Sequence, residues 1–380
     1  MGRYALELAK GLLNSGEIAD IRFFYHGKFI RGDEPAAIAD GTSGNASTVG
    51  WRIFSALRRG LRDSPAAAWG YARVLPLVER SRLRPYPDYI FHGTSYLLPD
   101  HAGPAVTTIY DLSTFRHPEW HPAYRVRRLN PAIQKTLAGA SRIITISETV
   151  RQEIIHCFGV PGDKVTAIPL GVDSCFCRLS DSETAPVLAP FGLTHGAYTL
   201  CVSTIEPRKN ICRLVEAFRQ LPVSLQRQYP LVLAGAGGWK SDDAHRLISE
   251  AVQTGTVKYL GHVPDQALPA LYSGCRAFLY PSLYEGFGLP ILEAMAGGVP
   301  VLTSDCSCMP EVSGDAAMLV DPCDTSSITQ GIERVLTDDV WRDMAVERGL
   351  IRARPMTWDA TVRATIEVYK KVWSGRTAVN

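Results

Sequence analysis

Residues 277–298 read Ala277-Phe-Leu-Tyr280-Pro281-Ser-Leu-Tyr-Glu285-Gly286-Phe287-Gly288-Leu289-Pro290-Ile-Leu-Glu293-Ala-Met-Ala-Gly297-Gly298. The apolar run Ala277–Tyr280 is a buried strand that ends at Pro281. Gly286 and Gly288 make the next loop pliable, and Pro290 falls in the first turn of a helix, where a missing N–H costs nothing. Gly297 and Gly298 stop that helix after about two turns. Free backbone N–H groups at such a helix start, reached through glycines, suit a phosphate. Glu293 lies one turn inside, where it can accept hydrogen bonds from a diol. Glu285 stands on the loop, where it can touch what hangs from the phosphate. Two carboxylates eight residues apart are thus separated in role, one for a nucleotide's ribose and one for a sugar.

Outward from this stretch, short aliphatic runs alternate with helical patterns, which argues an α/β fold with parallel strands. In the first half the runs are Ile21–Tyr25, Tyr89–His92, Ala105–Tyr110, Arg142–Ile146 and Val165–Ile168. Helices are expected at Arg3–Asn14, Arg125–Gly139 and Glu148–Phe158, the last with Ser147 as its N-cap. The second half restarts with Tyr198–Val202, Leu231–Ala234, Val257–Leu260, Ala277–Tyr280, Val299–Thr303 and Ala317–Val320, separated by helical patterns. Two doubly wound Rossmann-like units therefore face one another across a cleft, with a ligand at the carboxyl ends of the strands. The expected boundaries are residues 1–175, a linker without clear period at 176–195, a second domain at 196–357, and a C-terminal segment at 358–380. The chain opens almost directly into a helix where a buried strand is expected, so a leading strand either lies upstream of Met1 or is absent.

Composition sets the outer limits. The 380 residues, at roughly 150 per domain, suit two domains. An apolar fraction of 46% and a charged fraction of 21% exclude a disordered or fibrous chain. The net charge of +2 excludes a general nucleic-acid coat, although residues 1–173 carry 21 Lys+Arg against 16 Asp+Glu and the remainder 19 against 22. The nine cysteines begin at Cys157 and include no CxxC pair. Cys175-Phe-Cys177 and Cys306-Ser-Cys308 are too close for zinc spacing, so reduced cytosolic thiols are expected. No apolar run reaches 18 residues, and Met-Gly-Arg-Tyr lacks a signal-peptide core, so a cytoplasmic protein, soluble or peripheral to a membrane, is expected.

The second constellation is Ser203-Thr204-Ile205-Glu206-Pro207-Arg208-Lys209-Asn210, directly after the strand Tyr198–Val202. It presents two cations at a strand's carboxyl end. A leaving diphosphate without a metal needs such cations to stabilise developing negative charge. Together with Gly261-His-Val-Pro264, the Glu285/Glu293 pair, Ile168-Pro-Leu-Gly-Val-Asp173 and Met356-Thr-Trp358, this pattern resembles the retaining glycosyltransferases of sequence family four, which have the GT-B architecture, over nearly the whole chain. The resemblance implies that Arg208 and Lys209 bind the donor diphosphate and Glu293 the ribose hydroxyls. Glu285 would contact the transferred sugar, with Arg208, Lys209 and Glu285 as the catalytic set. It implies donor contacts from Thr204, Gly286, Phe287, Gly288 and Leu289, base contacts near Val263, and no metal or other cofactor. It also implies that the C-terminal helix, with Val362, Ile366, Val368, Tyr369 and Val372 at helical spacing, packs back on the first domain.

Two departures stand out. Many relatives carry His-Asp-Leu where this chain has Tyr110-Asp111-Leu112, so Tyr110 can hydrogen-bond a sugar but cannot carry a proton at neutral pH as His can. Asp111 is either an acceptor-hydroxyl contact or a capping residue. The glycine loop expected ahead of Gly2-Arg3-Tyr4 is mostly missing. Ala234-Gly-Ala-Gly-Gly238 lacks the third spaced glycine of a dinucleotide fingerprint and reads as a tight turn. His117, Pro118, Trp120 and His121 frame either an acceptor pocket or a packed aromatic loop.

The motifs look most like bacterial mannosyltransferases of surface-polysaccharide assembly. GDP-mannose is then the first donor, ahead of UDP-glucose or a UDP-N-acetylhexosamine, with a glycan or lipid-linked glycan as acceptor. A nucleotide-sugar 2-epimerase and a non-catalytic nucleotide-binding relative are the rival readings. Residues 51–85 hold eight arginines against Asp63 and Glu79, interleaved with apolar and aromatic residues. They form either an interfacial face for anionic lipid or a helical pair whose apolar side is core.

Overall fold

The computed structural model describes residues 2–25, 27–30 and 65–377. The chain falls into two compact units, one of residues 1–109, 133–144 and 362–380, the other of residues 110–132 and 145–361.

The first unit opens with the helix Gly2–Asn14, whose buried Tyr4, Leu8, Ala9 and Leu12 recur at helical spacing along one face. The run expected as a parallel strand at 21–25 instead forms β1 (Phe23–Tyr25), an antiparallel hairpin with β2 (Lys28–Ile30) in the register Phe23↔Ile30. Gly27 turns the hairpin at φ +77°. The helix Pro65–Leu83 follows. β3 (Phe91–Gly93) and β4 (Ala105–Ile109) are parallel, with Phe91 opposite Ala105, and β4 is buried throughout. A polar chain crosses this unit: Tyr4 OH lies 3.1 Å from Thr108 Oγ1, which lies 2.8 Å from His92 Nε2, while His92 Nδ1 lies 2.6 Å from Tyr369 OH. Burial pushes His92 down to about 3, so the imidazole is neutral at pH 7 and acts only through hydrogen bonds. Tyr369 belongs to the helix Trp358–Thr377, whose Lys370 also pairs with Glu17 at 2.7 Å.

In the second unit β5 (Arg142–Thr145) ends and β6 (Val165–Ala167) follows the helix Glu148–Phe158, which Ser147 caps by accepting from Val150 N at 3.2 Å. The six strands β7 (Thr199–Val202), β8 (Leu231–Ala234), β9 (Val257–Gly261), β10 (Ala277–Tyr280), β11 (Val301–Ser304) and β12 (Ala317–Val320) form one parallel sheet in the order 12-11-10-7-8-9. β7 therefore has β8 on one side and β10 on the other. The winding reverses there, and the loops after β7 and β10 emerge side by side, the position where open α/β sheets bind ligands. Leu214, Val215 and Phe218 of the helix Ile211–Arg219, with Ile328, Ile332 and Val335 of the helix Thr325–Thr337, form a core with no exposed surface beside the sheet.

Residues 176–195 are not without regular structure. Ser180 and Glu183 close a capping box on the helix Asp181–Leu188, and Leu188 is fully buried. The period is hidden because the helix is only two turns long and contains Pro186. The two motifs Ile168–Asp173 and Met356–Trp358 are the two sides of one contact. Val172 N donates to Met356 O at 3.0 Å, Thr361 Oγ1 donates to Pro169 O at 2.8 Å, and a Cβ on Gly171 would stand 2.1 Å from Trp358 N.

Candidate active site

The site grows from the switch point between β7 and β10. After β7 the chain makes a single turn, Pro207–Lys209, and Asn210 takes a left-handed φ of +59° before the helix Ile211–Arg219 begins. Asn is one of the few residues besides glycine that visit that backbone region routinely. Here Nδ2 donates to Pro281 O at 3.0 Å and to Pro322 O at 2.7 Å, so Asn210 joins the loop after β7 to the loop after β10. Leu283 N donates to Arg208 O at 2.7 Å and tightens the same junction.

Glu285, Arg208 and Lys209 meet directly. Arg208 Nη1 donates to Glu285 Oε2 at 2.5 Å, and Lys209 Nζ donates to Glu285 Oε1 at 2.6 Å. Tyr280, the last residue of β10, donates its hydroxyl to the same Oε1 at 2.8 Å and accepts from Lys209 Nζ at 2.6 Å. Glu206 Oε1 takes Arg208 Nε at 2.7 Å. Two carboxylates thus face two cations in a buried, locally neutral cluster. Burial pushes the Glu285 carboxyl up, but Arg208 and then Lys209 outweigh it and hold the pKa at about 2. Burial opposes the Arg208 charge, yet Glu285 and Glu206 keep it firmly protonated. Ser307, itself at φ +56°, accepts from Glu285 N at 3.1 Å and donates to Glu285 O at 2.7 Å, which clamps the loop backbone.

The glycines of this loop serve geometry before flexibility. A Cβ on Gly286 would stand 1.8 Å from Tyr110 O and 3.2 Å from Asp111 Cβ, so only glycine admits that close approach. Ser147 Oγ donates to Gly286 O at 2.7 Å, and Tyr284 OH accepts from Leu112 N at 3.1 Å while donating to Glu153 Oε2 at 2.5 Å. Tyr110 and Asp111 are therefore brought against the Glu285–Gly286 loop. Asp111 Oδ1 accepts from Ser113 N at 2.9 Å and Ser113 Oγ at 2.6 Å, a capping role for that oxygen. Gly288, at φ +87°, is the N-cap of the helix Leu289–Ala296 with no side-chain cap, and Phe287 is buried beside it. Glu293 is buried on this helix next to Tyr272, whose phenol burial and the Glu293 charge hold well above its usual range. Thr204 is exposed just past β7, and Val263 is buried just past β9, two strands away in the same sheet.

Ala234–Gly238 packs against the chain leaving β7. Ile205 bridges Gly237, Ile205 N donates to Ala236 O at 3.0 Å, and a Cβ on Gly235 would meet Ser203 O at 1.9 Å. The turn is structural, as its spacing indicates. In the aromatic segment His117 stacks on Trp120 at 3.8 Å, and Trp239 Nε1 donates to Trp120 O at 2.9 Å. His121 is buried with no partner on either ring nitrogen, and burial followed by the Arg125 charge lowers its pKa.

Sequence reasoning left Tyr280, Ser307 and the clamping role of Asn210 unassigned. Tyr280 reads as an ordinary strand end, and nothing in the pattern around Ser307 marks it. Asn210 carries one signal, an Asn between a turn and a helix where a positive φ is needed. Among the described residues no group of three or more His, Cys, Asp or Glu side chains is arranged to hold a metal ion, and no helix is long and apolar enough to cross a membrane.

Comparison with known proteins gives the same outline. The family Glycosyltransferase Family 4 matches residues 1–175, and Glycosyl transferases group 1 matches residues 193–350. The O-antigen chain mannosyltransferase B of Escherichia coli is 40% identical over 370 residues, which is 97% of this chain and 95% of that protein. Sucrose-phosphate synthase from Thermosynechococcus elongatus has the same fold with a TM-score of 0.66 at 19% identity, over 98% of this chain and 93% of that one. HepE from Anabaena, solved in complex with UDP-glucose, aligns with a TM-score of 0.61 at 20% identity over 71% of this chain and 72% of its own. With both halves matched and a relative aligned along nearly its whole length, the chain belongs to the family 4 glycosyltransferases of GT-B fold.

Proposed function

We propose that this enzyme transfers a mannosyl residue from GDP-mannose to a glycan or lipid-linked glycan acceptor in surface-polysaccharide assembly, with retention of configuration and without a metal ion. One observation carries the reading: two cations, the half-buried Arg208 and the buried Lys209, converge on the Glu285 carboxylate where the winding of the sheet reverses. The choice of mannose is supported by the mannosyltransferase relative that aligns with 95% of its length.

In this reading the donor diphosphate competes with Glu285 for Arg208 and Lys209, and backbone groups at Gly286–Leu289 complete its cradle. Glu293 takes the ribose hydroxyls, and Thr204 and the segment at Val263 border the nucleotide. The bond from the anomeric carbon to the phosphate oxygen breaks, leaving an oxocarbenium-like sugar. The acceptor hydroxyl attacks from the same face, and its proton passes to the leaving phosphate oxygen. Glu285 stabilises and positions; no enzymic nucleophile is needed. Tyr110 and Asp111 line the acceptor side. The arginine-rich stretch 51–85 docks on anionic lipid. Its residues 51–64 lie outside the described residues, while Val74, Leu77 and Val78 of the helix Pro65–Leu83 are exposed.

A thermal-shift screen of GDP- and UDP-sugars tests the donor, followed by transfer with NMR reading of the new linkage. Stabilisation by GDP-mannose and an α-mannosyl product are expected. Stabilisation by UDP-glucose alone rejects the donor, and an epimer formed from donor without acceptor rejects transfer.

A further inference from the structure

Beside the cation cluster lies a pocket of about 490 Å³ that no part of the donor reading uses. Its walls include Trp120, Glu206, Asn210, Arg213, Lys240 and Asp243. The size is within the roughly 300–1,000 Å³ of small-molecule sites. Nearly every polar group there is already engaged within the protein. Asn210 bonds two carbonyls and takes Arg213 Nη1 on Oδ1 at 3.0 Å. Lys240 Nζ donates to Glu119 O at 2.5 Å, and Asp243 pairs with Arg246 at 3.1 Å. Among the buried polar groups of the wall, Glu206 is the exception. Oε1 is tied to Arg208, but Oε2 is buried and has no hydrogen-bond partner.

An ionised carboxylate oxygen can only accept, so the ligand that completes Glu206 must bring a donor. With Glu216 on the wall as well, the lining holds three carboxylates against Arg213 and Lys240, which disfavours a phosphate or other anion. A neutral polyol meets both conditions, and the Trp120 indole, fixed by its stack on His117, offers an apolar face for the C–H side of a sugar ring. We propose that this pocket is a saccharide subsite that takes a neutral pyranose of the acceptor chain, with Glu206 Oε2 accepting one of its hydroxyls. The proposal rests on the transferase reading for the word acceptor alone. Because Arg208 bridges Glu206 and Glu285 through Nε at 2.7 Å and Nη1 at 2.5 Å, a sugar held here is two ion-pair contacts from Glu285.

The test uses the full chain and α-mannobiose as the probe, with saturation-transfer NMR for binding and initial rates for the acceptor KM. Ala244→Trp fills the pocket from the helix Asp242–Gln253 without touching the cation cluster, and Cys212→Phe fills it from the neighbouring helix should the first variant fail to fold. Expected are binding of α-mannobiose to the wild type, its loss in the filled variants, and an acceptor KM raised about tenfold in those variants and in Glu206→Gln, with GDP affinity in the filled variants within about twofold of wild type. Unchanged α-mannobiose affinity in a folded filled variant overturns the subsite, as does no binding to the wild type, which leaves the Glu206 oxygen to water only. Binding that the filled variants abolish in a protein that transfers no sugar from any donor upholds the subsite and rejects the transferase reading. Transfer with an unaltered acceptor KM does the reverse.

Discussion

Arg208 Nη1 and Glu285 Oε2 stand 2.5 Å apart, so the cation assigned to the leaving diphosphate is already held by the carboxylate assigned to the sugar. On the proposed reading the diphosphate takes Arg208 and Lys209 from Glu285, and the displaced carboxylate is then beside the sugar when positive charge develops there. Glu285→Gln should therefore bind GDP several-fold more tightly and turn over on the order of a hundredfold more slowly, the scale of one preorganised electrostatic group. Calorimetry with GDP and initial rates check the split. A parallel loss in both quantities contradicts it.

Replacing Arg208 or Lys209 by Ala removes half of the positive charge in the cluster and leaves Glu285 buried with one cation. Each variant should lose transfer by a factor on the order of a hundred. On the proposed metal-free scheme these side chains supply the charge that a metal supplies elsewhere, so EDTA should leave the rate unchanged. Abolition of transfer by EDTA, reversed by magnesium, refutes the metal-free scheme.

Glu293 is buried on the helix Leu289–Ala296, next to Tyr272. Glu293→Ala should weaken GDP and GDP-mannose alike by about 1.5–3 kcal/mol, the value of a hydrogen bond to a charged acceptor. Turnover at saturating donor should fall far less. Competition binding with GDP and guanosine monophosphate reads the effect, and loss of turnover without loss of affinity contradicts the ribose assignment.

Gly286 approaches Tyr110 O so closely that a Cβ would come to 1.8 Å. Gly286→Ala must move the loop or the Tyr110–Asp111 backbone, at a cost of about 1–3 kcal/mol for such overpacking. A lower melting temperature and loss of transfer are expected together. Wild-type melting and activity would mean that the approach has room to relax.

The depressed Glu285 pKa gives a stability term with a definite pH window. Its carboxyl falls from an ordinary value of 4.5 to about 2 on folding. The unfolded chain therefore binds the proton first, and the contribution is complete above about pH 4.5 and fades as pH drops towards 2. A shift of that size corresponds to about 3 kcal/mol. Urea midpoints at pH 7, 4 and 3 should show the pH-dependent gap between wild type and Glu285→Gln closing with acid. A constant gap places the source of the stability elsewhere.

The six strands of the second unit's sheet were legible in order, three of them to the residue and the others to within two residues. Leu231–Ala234, Ala277–Tyr280 and Ala317–Val320 begin and end where the sequence pattern sets them, and Ser147 caps its helix as its position implies. These rest on period, capping and turn chemistry, which act within a few residues. The hairpin strand at 23–25 and the helix inside residues 176–195 escaped the sequence pattern for the same reason. A three-residue hairpin strand and a two-turn helix with an internal proline are too short for a period to emerge.

The sequence by itself determined the succession of strands in the second unit, the placement of Arg208–Lys209 after one strand and Glu285–Glu293 after another, and membership of the family. The tertiary structure alone decided that β7 lies beside β10, so that side chains 76 and 77 residues apart become an ion-paired cluster. It alone decided that Gly286 and Gly171 are sites of close approach, and that Glu206 keeps one oxygen facing no donor. The reason is physical. Local conformation follows from neighbours along the chain, whereas strand order and the partners of a buried charge follow from which surfaces pack together, and that choice is made by the whole core at once.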